Sequence, residues 1–323
     1  MRRAILSIGT NSTRALVASF DNGSVTVDYS LSIGTRIGEG LRASGQLAPK
    51  PIARTIEALR LHLAALEPLA VDVLVVVATS AMRRAKNAAE FAASEREVTG
   101  STLRVLSGDE EARAAYRGAL TCLPGELRGA LTGVIDTGGG STEYAFGRGS
   151  YPEQCVSCEI GAVRLTERFP ELSGADGRVP VSTLKQAQSV ARDLLKPIAA
   201  FPKVDRLMVV GGSATAMAAL VAGTLDPVLS RELSQQELRA TIDQLAHRPL
   251  DERMKLPGMR AQRADILLAG GLILDAAFEQ LGHTTALTTS ADLPLGVLLL
   301  DAEESGPLGT QESQLEGPEH DRS

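Results

Sequence analysis

A glycine-rich turn that occurs twice is the feature that most constrains how this chain of 323 residues can fold. Residues 5–13 read ILSIGTNST and residues 134–142 read VIDTGGGST, and the two stretches align without a gap. In each copy an apolar run leads into a glycine turn, and small hydroxyl residues follow. The match indicates an internal duplication in which each half opens on a β-hairpin. Ser7 stands where the second copy has Asp136, so the first copy lacks the acid.

The order of predicted elements also favours two α/β units. In each half, strand-like runs around the glycine turn come first, and helical and strand-like patterns then alternate. The runs VDVLVVVAT and RLMVV are typical of buried strands in sheets that helices cover. The pattern breaks in CLPGELRG, which predicts a domain boundary there. We therefore expect one domain at residues 1–125 and a second at residues 126–303.

The net charge is concentrated at the C-terminal end of the chain. Residues 301–323 hold seven Asp or Glu and one Arg, which account for the whole net charge of −6. The rest of the chain is neutral overall, which argues against nucleic acid as a partner, and a polyanion would need a local basic site. Residues 304–323 are polar and contain Gly and Pro, which predicts a disordered acidic tail.

Composition argues against membrane and disulfide-dependent classes of protein. Apolar runs are too short to cross a bilayer, and the N-terminal one is too short for a signal peptide, so we predict a soluble cytoplasmic protein with no membrane partner. The chain has three Cys. Cys155 and Cys158 form a C-x-x-C pair, but no second pair accompanies it. We therefore favour small buried apolar roles for them over a redox or zinc site.

The two turns are suited to binding phosphate oxygens. Glycines allow backbone N–H groups to converge, and neighbouring hydroxyls add donors. One such turn alone is most simply an ordinary hairpin turn, whereas two could face each other across a cleft and bind one phosphate chain. A third glycine turn follows a strand and opens a helix, whose N-terminus adds positive potential. The candidate phosphate-binding residues in these three elements are Gly9, Thr10, Asn11, Ser12, Gly138, Gly139, Gly140, Ser141, Gly211 and Gly212.

A predicted helix that begins after Ser107 carries a candidate base. Ser107 and Glu110 have capping-box spacing, which explains Glu110 and leaves Glu111 without a local role. A stripe of small residues follows Glu111 at helical spacing, formed by Ala114, Ala115 and Gly118. The stripe either lets another element pack closely or leaves room for substrate and water beside a base.

Eight segments of the chain resemble the exopolyphosphatase/guanosine pentaphosphate phosphohydrolase (Ppx/GppA) family of the actin–sugar kinase superfamily. They are SIGTNSTRALV, TRIGEGL, VATSAMRRAKN, LSGDEEAR, VIDTGGGSTE, IGAVRLTERF, VVGGSAT and LPGMRAQRADILLAGGLIL, in this order. The resemblance implies two actin/ribonuclease-H-like α/β domains with a cleft between them. It also implies removal of the terminal phosphate from inorganic polyphosphate or guanosine pentaphosphate (pppGpp).

The resemblance further implies a role for individual residues. Glu111 matches the general base of the family. Asp136 and Glu143 match the residues that help to bind Mg²⁺ (or Mn²⁺) and position the attacking water, and Arg83 matches a cation at the anionic substrate. Hydrolysis of a phosphoanhydride needs an oriented water, a base, a metal and charge neutralisation rather than a covalent intermediate.

The chain departs from the family in two places. Where the first turn of the family usually begins with Asp, this chain has Ser7, which brings no charge and predicts weaker metal binding. Near the C-terminus, residues 292–296 read DLPLG in place of the family's Gly-Leu-Arg-Glu-Gly run, whose cation and acid are therefore absent. The short chain favours an enzyme for shorter polyphosphate or for pppGpp.

Two other functions stay open at this point, and so does the oligomeric state. With Ser7 in place of an acid, the fold could be a (p)ppGpp- or nucleotide-binding regulator with little turnover. A kinase of the superfamily would also use a Glu base, although sugar and acetate kinases lack segments like LSGDEEAR and IGAVRLTERF. The apolar helix predicted over ADILLAGGLILDAAF suits either a homodimer contact or a buried core position.

Overall fold

The computed structural model describes residues 1–21, 24–127, 129–225 and 230–305. The strands of these segments are β1 (Arg2–Ile8), β2 (Ser12–Asp21), β3 (Ser24–Gly34), β4 (Val73–Ala78), β5 (Arg104–Val105), β6 (Thr132–Thr137), β7 (Thr142–Gly147), β8 (Gln154–Cys158), β9 (Arg206–Val210), β10 (Ser230–Ser234) and β11 (Thr285–Thr289). The α-helices are α1 (Leu41–Ser44), α2 (Pro49–Leu66), α3 (Ser80–Arg84), α4 (Ala88–Thr99), α5 (Gly108–Ala119), α6 (Ala162–Arg168), α7 (Val181–Leu194), α8 (Gly211–Ala222), α9 (Gln235–Ala246), α10 (Leu250–Arg253), α11 (Leu267–Leu281) and α12 (Leu293–Ser305).

The strands form two mixed sheets with the same plan. Within the described residues, one sheet has five strands in the order β3–β2–β1–β4–β5, and the other has six in the order β10–β11–β9–β6–β7–β8. β1 pairs antiparallel with β2 and parallel with β4, and β6 pairs in the same way with β7 and β9. Apart from β10, the second sheet repeats the first strand for strand. This repeated α/β plan confirms the predicted fold class.

Helix α11 lies in the core of the second half. Almost all of its residues are buried, and it contacts α7, α8 and α9. Burial of this many aliphatic side chains is a main source of stability for the second half. Packing inside the chain therefore accounts for the apolar character of this helix, and the homodimer stays a prediction.

Helices α5 and α12 connect the two halves. α5 packs on the second sheet through residues such as Ala112 and Tyr116, although it precedes that sheet in the chain. α12 packs on the first sheet through residues such as Leu295 and Leu298, although it follows the second sheet. Each sheet is therefore covered by one helix whose residues lie on the other side of residue 125 in the chain. The domain limits at residues 125 and 303 stay a prediction.

The two helices cross at very close range. A Cβ atom on Gly118 would overlap the backbone oxygen of Asp292, and one on Gly296 would overlap the backbone oxygen of Ala114. The stripe of small residues on α5 therefore serves close helix packing, which was the first of its two interpretations. α12 continues to Ser305, and the remainder of the predicted acidic tail, residues 306–323, lies outside the described residues.

The stretch SAMRRAKNAAEFAASEREV has the sequence pattern of one helix, but the structure divides it into α3 and α4. The side-chain amide of Asn87 accepts a hydrogen bond from the backbone N–H of Leu47 at 2.8 Å and donates one to its carbonyl at 3.1 Å. The break thus lies beside a contact to a residue 40 positions earlier in the chain.

The cysteine and membrane predictions can be compared with the same structure. The three Cys are free. Cys155 and Cys158 lie three positions apart on β8, so their side chains point to opposite faces of the strand and the C-x-x-C pair is not a disulfide. Among the helices of the described segments, none has the length and apolarity that a membrane span requires.

Candidate active site

The two glycine turns have the same internal geometry. In the first turn the backbone N–H of Gly9 donates to the carbonyl of Ser12 at 3.0 Å. In the second, the backbone N–H of Gly138 donates to the carbonyl of Ser141 at 3.1 Å. Each turn joins two paired strands, so the duplicated stretches form equivalent hairpins in the two halves.

The two turns face each other at close range. A Cβ atom on Gly139 would lie 3.2 Å from the Cβ atom of Thr10, and one on Gly140 would lie 2.6 Å from Thr10 Oγ1. Glycine is therefore required where the two halves approach each other. Behind the contact is a cleft whose lining includes Gly9, Thr10, Asn11, Ser12, Glu111, Asp136, Gly138, Gly139, Gly140, Ser141, Glu143, Gly211 and Gly212. The structure thus brings every candidate from the sequence to one cleft except Arg83, which contacts Glu111.

The second hairpin forms an acidic wall of the cleft. Asp136 on β6 and Glu143 on β7 are directly paired across the strands, and both are buried. Burial raises the pKa of Asp136 well above its usual range, and the nearby carboxylates of Asp292 and Glu143 raise it further. Burial and the charge of Glu111 raise the pKa of Glu143 to about 8. Ser157 Oγ donates to Glu143 Oε1 at 2.7 Å and fixes the position of this carboxylate.

The first hairpin has the opposite charge at the equivalent positions. Ser7 on β1 and Arg14 on β2 are paired in the same register as Asp136 and Glu143. The Arg14 guanidinium donates to the carboxylate of Asp292. The duplication therefore produces a cleft with two acids on the second hairpin and, on the first, a single arginine that pairs with Asp292. Such a cleft suits a phosphate chain, because arginine binds its oxygens while the acids are available for a metal ion or a water.

Glu111 lies in the first turn of α5, which begins with the predicted capping box. Ser107 Oγ accepts from the backbone N–H of Glu110 at 3.1 Å, and Glu110 Oε2 accepts from that of Ser107 at 2.7 Å. The Glu111 side chain is 6% exposed and accepts a hydrogen bond from Arg83. Burial outweighs the opposing effect of Arg83 and raises the pKa of Glu111 to about 7. A carboxylate of this pKa is suited to accept a proton from water near neutral pH.

Comparison with known protein families agrees with this geometry. The model of the Ppx/GppA phosphatase family matches residues 16–299. The chain belongs to the Ppx/GppA phosphatase family. Membership supports a phosphatase activity on polyphosphate or pppGpp in broad terms.

Solved structures of related proteins agree over nearly the whole length of this Ppx/GppA chain. The crystal structure of an Aquifex aeolicus family member is 28% identical, with a TM-score of 0.78, and the match covers 95% of this chain and 99% of that chain. An exopolyphosphatase from Cytophaga hutchinsonii is 20% identical, with a TM-score of 0.85, over 94% of this chain and 98% of that chain. The second likeness bears on the fold alone.

The Gly-Gly pair of this Ppx/GppA chain gives charged side chains access to the start of α8. Gly211 has a φ of 84°, in the left-handed region, and a Cβ atom there would overlap Asp136 Oδ1. A Cβ atom on Gly212 would overlap the guanidinium of Arg263. The third glycine element therefore holds an acid and a cation at the cleft, and its role in phosphate binding stays a prediction.

Arg263 and Asp292 are among the cleft residues that were not assigned from the sequence. Arg263 lies in a short 3-10 turn before α11, and burial together with the nearby Arg14 lowers its pKa to about 10. Asp292 lies directly before α12 and binds Arg14. The DLPLG run thus lacks the acid of the family's run but still brings a carboxylate to the cleft. Arg263 lies in the segment LPGMRAQRADILLAGGLIL that resembles the family, and a charged residue directly before an apolar helix was the sequence signal for Asp292.

The cleft residues fit a divalent cation that binds together with a phosphate chain. In the described part of the chain, no three His, Cys, Asp or Glu side chains form a ready metal-binding group. Mg²⁺ is commonly held by only one or two carboxylates, with substrate phosphates and waters completing its shell. Asn11 Oδ1 and Ser80 Oγ line the cleft and are buried without a hydrogen-bond partner among the described residues. A bound ligand would satisfy these atoms and neutralise Asp136 and Glu143.

Proposed function

We propose that this chain removes the terminal phosphate from inorganic polyphosphate or pppGpp by metal-assisted attack of water. The observation that carries the proposal is the position of Glu111, a buried carboxylate with a raised pKa that lines the same cleft as both glycine turns. Membership of the Ppx/GppA phosphatase family supports the reaction class.

Phosphoryl transfer to water depends on positioning and on charge neutralisation, and different residues of the cleft provide each of these. The backbone N–H groups of the two turns and the hydroxyl of Thr10 orient phosphate oxygens. Arg14 and Arg263 neutralise negative charge on the chain. When bound, Mg²⁺ or Mn²⁺ would neutralise further charge on the phosphates, and Asp136 and Glu143 would hold it.

Glu111 acts on the attacking water. It accepts a proton as the water oxygen bonds to the terminal phosphorus, while the bond from that phosphorus to the bridging oxygen breaks. The electron pair leaves with the shortened chain, and orthophosphate is released. The ion pair with Arg83 fixes the orientation of the Glu111 carboxylate, so that the base is in place before the substrate binds.

A phosphate-release assay tests this proposal. Wild-type protein, with Mg²⁺ or Mn²⁺, should release phosphate from inorganic triphosphate, longer polyphosphate or pppGpp. Glu111→Ala should lower kcat by about 10²- to 10⁴-fold, because the water loses its base. Glu110→Ala is the matched control, since it removes the neighbouring carboxylate, which caps α5 and pairs with Arg104 but does not line the cleft, and its rate should stay within about twofold of wild type. Equal rates for wild type and Glu111→Ala would exclude Glu111 as the base.

A nucleotide-binding regulator is the second candidate function. It is favoured by the neutral side chain of Ser7, which lines the cleft at the position equivalent to Asp136. Calorimetry that detects tight binding of pppGpp or ppGpp, with no phosphate release at any Mg²⁺ or Mn²⁺ concentration, would favour this function. Phosphate release at a rate that depends on Glu111 would exclude it.

A further inference from the structure

The carboxylate of Asp292 is only half satisfied. Its side chain is 4% exposed and lines the cleft. Its Oδ2 atom accepts a hydrogen bond from Arg14. Its Oδ1 atom is buried and has no hydrogen-bond partner within the described segments. Leaving a buried carboxylate oxygen without a donor or a cation costs free energy, so this atom points to a ligand that completes the site.

Asp292 lies beside the position where the first hairpin lacks an acid. Ser7 and Arg14 are opposite each other in the register of β1 and β2. Because Asp292 binds Arg14, its carboxylate comes close to the place that an acid at position 7 would occupy. The crossing of α12 over α5, which glycine at 118 and at 296 makes possible, carries Asp292 to this place from the far end of the chain.

Asp292 and Asp136 share one part of the cleft. Both side chains line it, and both are buried carboxylates. Two buried carboxylates that repel each other become favourable neighbours when a divalent cation lies between them. This set of one or two carboxylates is also the set that Mg²⁺ uses when phosphates and waters supply its remaining ligands.

We propose that Asp292, beside Asp136, is a further carboxylate of the divalent-cation site, and so replaces the acid that Ser7 does not supply. Arg14 binds the Oδ2 atom of Asp292, and the Oδ1 atom is left for the cation. The catalytic role of the cation rests on the proposed function. Binding of the cation by Asp292 does not, and it is measured independently. The competing explanation is that Asp292 only anchors Arg14.

Binding of Mn²⁺ alone to the full chain, measured by electron paramagnetic resonance, separates the two explanations. Asp292→Asn should weaken Mn²⁺ binding by about tenfold or more, because a charged ligand is lost. Arg14→Gln keeps the carboxylate and removes a nearby positive charge, so its affinity should equal or exceed that of wild type. Ser7→Asp in the Asp292→Asn background should restore most of the lost affinity. Wild-type affinity in Asp292→Asn, or equal losses in Asp292→Asn and Arg14→Gln, would overturn the proposal.

Two further comparisons keep the experiment decisive. If Asp292→Asn does not fold, Ser7→Asp in the otherwise wild-type chain should tighten Mn²⁺ binding, and an unchanged affinity would count against an acid-dependent site. If wild type binds Mn²⁺ in the expected pattern but releases no phosphate from triphosphate or pppGpp, the proposed function fails and the assignment of Asp292 stands. If wild type releases phosphate and Asp292→Asn binds Mn²⁺ normally, the assignment alone fails.

Discussion

At the scale of single residues, the two halves differ most in charge where their hairpins face the cleft. The first hairpin has Ser7 and Arg14 where the second has Asp136 and Glu143. Two identical acidic hairpins would repel each other and a phosphate chain, whereas one acidic hairpin and one that carries an arginine attract a polyanion together with a cation. The exchange of two side chains thus turns a symmetric fold into an asymmetric site.

A buried histidine away from the cleft should make stability depend on pH. His62 in α2 is fully buried, with Nε2 3.2 Å from Thr13 Oγ1, and burial lowers its pKa below the ordinary value of 6.5. The unfolded chain therefore binds the proton more readily than the folded chain. The buried, neutral imidazole of His62 therefore contributes fully to stability above pH 6.5. This contribution is lost as the pH falls from 6.5 through the folded-state pKa of His62.

Urea unfolding at about pH 7.5 and about pH 5 measures this dependence. His62→Gln can still bond to Thr13 but does not titrate, so it should lose less stability than wild type between these two pH values. His247→Gln is the matched control, because the His247 side chain is 62% exposed. Equal pH dependence in His62→Gln and wild type would show that His62 is not the group responsible.

Residues whose role follows from local pattern could be predicted from the sequence, and those placed by distant contacts could not. The glycine turns and Glu111 were found because a gapless repeat and a capping box are local signals. The position of Arg263 and Asp292 at the cleft could not be predicted, because it depends on how α11 and α12 pack against other elements. The break between α3 and α4 could not be predicted for a similar reason, since Asn87 at this break bonds to the distant Leu47.

At the scale of elements, the crossing of α5 and α12 joins Glu111, the proposed base, to the rest of the cleft. α5 carries Glu111 in its first turn, and Asp292 directly precedes α12. Because the helices touch backbone to backbone at Gly118 and Gly296, a shift of one must displace the other. The sequence predicted α5 but not its crossing with α12, since contacts between elements so far apart in the chain leave no local pattern.

Gly296→Ala tests this crossing. In an exposed helix, Gly to Ala stabilises by about 1 kcal/mol through helix propensity. Here the added Cβ atom would overlap the backbone oxygen of Ala114, so we expect a net destabilisation of about 1–3 kcal/mol and a lower rate of phosphate release. Thermal unfolding and the release assay measure the two effects. Gly125→Ala, whose Cβ atom would meet nothing within 4 Å, is the control and should change stability by less than about 0.5 kcal/mol. A stabilised Gly296→Ala would show that the helices separate easily.

At the scale of the whole molecule, the two halves are held together by more than the crossing helices. The guanidinium of Arg36 makes two hydrogen bonds, of 2.7 and 2.8 Å, to the carboxylate of Asp265. The backbone N–H of Gly40 donates to Glu167 Oε1 at 2.9 Å, and Arg84 lies 3.8 Å from Glu159. The duplicated sheets predicted a cleft, but these links between the halves follow only from the folded chain.

A phosphate chain bound between the hairpins should add a further link between the halves. Glu111→Gln keeps the cleft but lacks the base, so inorganic triphosphate with Mg²⁺ can bind without being consumed. A ligand at about 100 times its Kd stabilises the folded state by about 2.7 kcal/mol, so the unfolding temperature of this variant should rise. Gly140→Val in the same background is the control, because its side chain would crowd Thr10 Oγ1 and Ser80 Oγ, which lie 2.6 and 2.7 Å from the position of the Cβ atom. Since that side chain would push the two turns apart, the temperature rise should be lost. An equal rise in both proteins would mean that triphosphate binds elsewhere and that the facing turns are not its site.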